Sequence, residues 1–230
     1  MTLAAALRLT EVLLALALIQ QSLEHVLRCR AGFRIEQTVF AARIVLCAAL
    51  LAGLATPWPL LALAVLSLLI LALFDGPYNG GSDRMGLLTL WCLATAQLVP
   101  HPAWQELAFG YLGLQLVLSY LISGLVKLVN PDWRSGRALN DVFVFSAYPW
   151  SENLRRLADR PRLLCLAGWA VMLFEILFPL AMLNQRLLLL ALLVGGLFHL
   201  ANACLFGLNR FFWTWLAAYP ALIWLQARLV

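Results

Sequence analysis

Apolar residues along this chain arrive in successive blocks, not in the in-out alternation of strands, and each block approaches the length needed to cross a bilayer. Eight such blocks are legible, at about residues 3–27, 38–55, 60–74, 85–99, 103–129, 163–183, 187–208 and 211–226. The pattern predicts an all-α, polytopic transmembrane helix bundle of about eight spans, forming a single transmembrane domain over residues 1–230. Between the blocks, Thr56-Pro57-Trp58-Pro59 reads as a tight antiparallel return. The run from Asp75 to Arg84, DGPYNGGSDR, is the most strongly turn-coded segment, with Ser82 or Asp83 as an N-cap for the span that follows. Alternatively that run, with Asn79 and Asp83, is a hydrogen-bond-rich mouth over a pocket. Only the loop after the fifth span, 130–162, is long enough to hold structure of its own. Its Trp133, Phe143, Phe145, Tyr148 and Trp150 suit the membrane interface, and Ser151 to Asp159 reads as a short interfacial helix capped by Ser151.

Composition narrows the class further. With 63% hydrophobic and 12% charged residues there is too little polar surface to clothe a soluble globule. The first block is long, contains Glu11 and lacks a small-residue cleavage pattern, so it is expected to remain as a span. The net charge of +5 comes from arginines gathered in a few loops. This favours topology and contact with membrane lipid, and no nucleic acid is expected as a partner. Eight spans place both termini on one side, with Arg8, Arg186 and Arg228, and the positive-inside rule makes the arginine-rich opposite side cytoplasmic. The five cysteines form no CxxC pair and no metal is expected. Four lie in apolar blocks, while Cys29, between Arg28 and Arg30, has surroundings that favour a reactive thiol.

The polar residues inside the blocks carry the candidate chemistry. Gln21, Glu24 and His25 share one helix face at the end of the first span and are expected to face protein or headgroups; Arg43 is placed to snorkel. Lys127 is the only lysine beside fifteen arginines. Unlike arginine, a lysine taken out of water can give up its proton and serve as base or nucleophile. Tyr120, Ser123, Gly124 and Lys127 recur at helical spacing, so two hydroxyls, a bare backbone position and the amine line one face. The small residues there admit a close helix or a flat ligand. Glu175 at mid-span must be protonated, paired or in a wet cavity, and His199 lies three residues before Asn202 on the seventh span. Taken singly, Lys127 also fits a plain helix terminus at the headgroups, and His199 a hydrogen bond between helices. Together, an amine, a carboxyl and an imidazole on three helices make a polar pocket able to take a proton from a membrane-soluble phenol or quinol.

The run YLISGLVKL at Tyr120 to Leu128, followed by Asp132-Trp133-x-x-Gly136, resembles the vitamin K-dependent gamma-carboxylase superfamily, including its bacterial HTTM-domain members. YNGGSD at Tyr78 to Asp83, LFEILFP at Leu173 to Pro179 and FHLANACLFGLNRFFW at Phe198 to Trp213 agree with it in order. The resemblance implies a bacterial inner-membrane protein in which Lys127 is the base that deprotonates a quinol of the vitamin K type. It also implies pocket membership for His199 and Asn202. The chain departs from the family pattern by one extra residue between Lys127-Leu128 and Asp132-Trp133, by the added serine in YNGGSD, and by ending at its last span. The carboxylases open the lysine side to the lumen, whereas the arginine distribution here puts it at the cytoplasm. A quinol-linked or lipid-linked reaction is therefore favoured over protein carboxylation. Two other classes compete: a scaffold or maturation subunit that docks a partner protein through residues 130–162, and a transporter or proton relay, for which no internal repeat is visible.

Overall fold

A computed structural model describes residues 1–28, 34–73, 80–146 and 152–230. Every regular element among them is helical: α1 (Leu3–Arg28), α2 (Arg34–Leu51), α3 (Pro57–Leu73), α4 (Gly81–Leu98), α5 (Pro102–Val129), α6 (Pro131–Arg134), α7 (Arg137–Phe145), α8 (Pro161–Leu177), α9 (Gln185–Phe206) and α10 (Asn209–Leu229). Two 3₁₀ segments, Glu152–Asp159 and Phe178–Leu183, flank α8. Among the described residues, four stretches are long and apolar enough to cross a membrane: Leu3–Leu27, Pro102–Val129, Pro161–Leu183 and Gln185–Phe206. Pro57–Ala72 is apolar but shorter. The remaining expected spans are helical for most of their length in α2, α4 and α10, but charged residues, at the ends of α4 and α10 and also at mid-helix Arg43 in α2, interrupt the apolar run.

The chain forms two compact units, one of residues 1–114 with 213–228 and one of residues 115–212 with 229–230. In the first, α1 packs on α2 and α3 on α4, burying Leu14, Leu50, Leu63, Leu93 and Phe109. Gln21 on α1 donates to Asp83 Oδ1 on α4 at 3.1 Å, and His25 Nδ1 lies 2.9 Å from Glu36 Oε1, so that end of α1 does face protein. In the second unit α6 and α7 pack on α8, around Tyr120, Met172, Phe178 and Leu188. The outer faces of α9 remain apolar and exposed, with Leu187, Leu190, Leu193 and Leu197 uncovered, as hydrocarbon requires of a lipid-facing helix.

Several local expectations are corrected. Pro57 and Pro59 open α3 and do not form a separate turn, because proline has no N–H to lose in a first helical turn. The N-cap of α4 is Gly80, in extended backbone and without a side-chain cap bond; Ser82 and Asp83 lie inside the first turn, where the Asp83 carboxylate meets the positive end of the helix. Arg43 is buried (5% exposed) and does not snorkel. Residues 130–162 hold more helix than expected, α6 and α7, and the expected helix near Ser151 is a 3₁₀ segment beginning at Glu152. Asn140 donates to the Ala158 carbonyl at 2.8 Å and Arg155 to the carbonyls of Val144 and Ser146, which ties that segment to α7. The sixth span changes from α to 3₁₀ geometry before Pro179, which cannot supply the next α-helical bond. Asn79, Cys29, Tyr148, Trp150 and Ser151 lie outside the described residues.

Candidate functional site

The second unit brings the last two turns of α5 against α8. Side chains on a helix lean toward its N-terminus, so Lys127 runs back along α5 to reach Ser123, one turn earlier. Lys127 Nζ donates to Ser123 Oγ at 2.6 Å and to Glu175 Oε1 and Oε2 at 2.8 and 2.7 Å. Ser123 Oγ in turn donates to Glu175 Oε1 at 3.2 Å. The lysine side chain is 16% exposed and that of Glu175 is 5% exposed, so a charge-assisted, bidentate pair sits largely out of solvent.

Gly124 makes this pair possible. A Cβ added there would lie 2.8–2.9 Å from Ile176 Cγ1, Glu175 Cβ and the Ile176 backbone nitrogen. Any side chain at this position would hold α8 away from the amine. The small residue read from the sequence as an opening for a helix or a flat ligand is filled by a helix.

One turn earlier on the same face, Tyr120 is buried. Its hydroxyl lies 3.0 Å from His199 Nε2, which brings α9 into the arrangement, and its ring stacks on Phe178 with centroids 4.1 Å apart. Phe174 meets Tyr120 edge-on at 5.8 Å. His199 is thus joined to the α5 face through Tyr120, while Lys127 and Glu175 are joined directly.

The turn after α5 is fastened to α8. Asn130 caps α6 by accepting from the Asp132 nitrogen at 2.9 Å, with Pro131 in the first turn. Trp169 Nε1 donates to the Arg134 carbonyl at 3.1 Å. Gly136, at φ 83°, lies so close to Cys165 that a Cβ would stand 2.8 Å from its Cα. These contacts hold Trp133 with its ring centroid 5.3 Å from Lys127 Nζ, a cation–π distance. The spacing of Asp132, Trp133 and Gly136 after the lysine therefore has a geometric meaning: it returns an indole to the amine.

Of the other residues singled out from sequence, Asn202 uses its carbonyl to accept from Leu208 at the end of α9, with its side chain half-buried. Asp83 belongs to the first unit, bonded to Gln21. Phe174, Phe178 and Trp169 were not singled out, although Phe174 and Phe178 flank Glu175 within LFEILFP; nothing in the sequence gives the phase that turns Phe178 onto Tyr120. No group of three or more His, Cys, Asp or Glu side chains able to hold a metal ion occurs among the described residues.

Comparison with known proteins gives a family match, the HTTM domain, over residues 89–226, which contains the second unit except residues 229–230, together with residues 89–114 and 213–226 of the first. No curated protein and no solved structure matches. The match covers more than half of the chain and includes Lys127, Glu175 and His199. The chain belongs to the HTTM-domain family, the domain of vitamin K-dependent gamma-carboxylase-like proteins, and is a membrane protein.

Proposed function

We propose that this protein is a membrane enzyme acting on a quinol or another lipophilic substrate, with Lys127 Nζ as the proton-accepting atom. The observation that carries this reading is the hold on that nitrogen: Glu175 through both oxygens and Ser123 on one side, and Trp133 on the other. An amine that takes a proton becomes an ammonium, and the adjacent carboxylate neutralises the charge where little water is present to do so. The N–H bond formed on Lys127 replaces an O–H bond broken on the substrate, and the ion pair is the state after proton uptake. A vitamin K-type quinol, when bound, would supply the acidic hydroxyl and a ring able to give up two electrons to dioxygen, the co-substrate. The donor set fits it: the lysine keeps some exposure, and Trp133 offers a flat aromatic face beside it. His199, through Tyr120, positions the α5 face, and Gly124 sets the helix spacing. Asn202, Asn79 and Asp83 are proposed only as neighbours of the substrate path.

In the same reading residues 1–230 form one HTTM-like domain with eight spans, and the 3₁₀ segment after α7 lies in the membrane interface. The shorter helices cross where the apolar thickness is reduced; α3, with 17 residues, spans about 25 Å against a hydrocarbon core of about 30 Å. The host membrane is a bacterial inner membrane.

A second reading also has an observation behind it. The lysine–glutamate pair is fully hydrogen-bonded, as a structural clamp in a non-catalytic scaffold or maturation subunit would be. Lys127→Arg separates the two, because arginine keeps the positive charge and does not act as a base. In nanodiscs carrying the full chain, supplied with phylloquinol and followed with an oxygen electrode, the wild type should consume oxygen above empty nanodiscs and Lys127→Arg should fall to that background. A wild type no faster than empty discs, or a variant as fast as the wild type, overturns the enzymatic reading.

A further inference from the structure

The first unit holds a second polar site, formed by the start of α1, the turn between α2 and α3, and the last turns of α4. A cavity of about 370 Å³ is lined there by Arg8, Glu11, Gly53, Thr56 and Gln97, among others. Arg8 donates to Glu11 Oε2 at 3.1 Å and to the carbonyls of Leu50 and Leu51 at 2.7 and 2.6 Å, closing the end of α2. A guanidinium has five N–H donors. Arg8 therefore keeps donors to spare, and its side chain is 40% exposed.

Glu11 is 1% exposed, and its second oxygen, Oε1, is buried without a hydrogen-bond partner. A buried acceptor in that condition is costly, and a donor brought by a ligand would relieve it. Across the cavity Thr56 Oγ1 donates to Gln97 Oε1, which orients the amide and leaves its NH₂ as a donor. The lining thus offers an anionic acceptor beside cationic and neutral donors. Trp58 and Trp104, both exposed, lie at the same ends of α3 and α5, the level at which indoles meet lipid headgroups.

We propose that this cavity binds a primary ammonium adjacent to a phosphate, the chemistry of a phosphoethanolamine group, with the ammonium on Glu11 and the phosphate toward Arg8 and Gln97. The site is independent of Lys127 and of the reaction proposed there.

The test is native mass spectrometry of the full chain, delipidated in detergent and offered phosphatidylethanolamine, phosphatidylcholine or phosphatidylglycerol with identical acyl chains. Phosphatidylcholine has a quaternary ammonium with no N–H to donate, and phosphatidylglycerol has no cation. Phosphatidylethanolamine should be retained about tenfold better than either, the scale of one charge-assisted hydrogen bond. Glu11→Gln should remove that preference. Soluble phosphoethanolamine supplies the second arm. Competition by it at equal concentration assigns the site to a free solute, and failure to compete assigns it to the lipid; both support the ammonium–phosphate chemistry. Equal retention of the three lipids by the wild type overturns the proposal, and this comparison stands even if Glu11→Gln does not fold. A preference unchanged in a folded Glu11→Gln variant overturns it as well.

Discussion

Gly124→Ala tests the physical basis of the candidate site most directly. The added methyl would meet Ile176 Cγ1 at 2.8 Å and the Ile176 backbone nitrogen at 2.9 Å. A flexible side-chain end can swing aside, but the backbone nitrogen cannot, so α8 must retreat by about half an ångström to recover ordinary contact. Overpacking of this kind costs about 1–3 kcal/mol. Against it stands the intrinsic preference for alanine over glycine inside a helix, about 1 kcal/mol. Gly168→Ala, on α8 in the same unit, isolates that gain, because the nearest atom to its methyl is the Trp133 carbonyl oxygen at 3.8 Å. The two variants should therefore differ by about 1–3 kcal/mol, with Gly168→Ala neutral or stabilised. At about 2–4 °C per kcal/mol for a chain of this size, the difference is several degrees in Tm. Thermal unfolding in detergent, followed by tryptophan fluorescence, reads it. The same retreat would draw Glu175 away from Lys127, so the oxygen consumption of Gly124→Ala should fall as well. If Gly124→Ala melts at or above Gly168→Ala, α8 does not press on α5 as described.

Three further outcomes are expected. Lys127→Met alone leaves the Glu175 carboxylate buried without its cation and should cost about 3–5 kcal/mol, while adding Glu175→Leu should restore most of it; denaturant unfolding in mixed micelles of the single and double variants measures the recovery, and a double variant no better than the single would deny the coupling. Tyr120→Phe removes the hydrogen bond to His199 but keeps the stack on Phe178, so a loss of about 1 kcal/mol is expected in the same assay. Gly136→Ala combines a left-handed backbone, at φ 83°, with a Cβ 2.8 Å from the Cys165 Cα, and its Tm should drop further than that of Gly124→Ala.

The helical blocks were readable because hydrocarbon tolerates no unsatisfied backbone, so a crossing segment must be long, apolar and helical, and these features are written locally. Their ends were less readable. Pro57 and Pro59 look like a turn in a string of residues but are equally at home in a first helical turn, and only the packed structure chooses. In α7 one of the two aromatic residues that suggested an interface, Phe143, instead faces protein: it is 8% exposed and meets Phe206 edge-on at 5.1 Å, whereas Phe145 stays exposed. At the site, the shared face of Tyr120, Ser123, Gly124 and Lys127 follows from helical period alone. That Glu175 reaches Lys127 while His199 reaches Tyr120 depends on the rotation of α8 and α9 about their own axes, which no local pattern encodes. Arg8 and Glu11 were legible only as charges; their relation to Leu50, Leu51 and Gln97 arises from residues about 40 or more positions away.

Lys127 and Glu175 are separated by 48 positions in the chain. At a synthesis rate of about 5–20 residues per second, the cation leaves the ribosome several seconds before its counter-ion. During that interval the last turn of α5 has an ammonium with no carboxylate to meet it, and its place near the end of the helix allows the nitrogen to reach toward the headgroups until α8 arrives. Formation of the pair is therefore a late event in biogenesis, and a nascent chain stalled before residue 175 carries this helix end in a different setting from the finished protein.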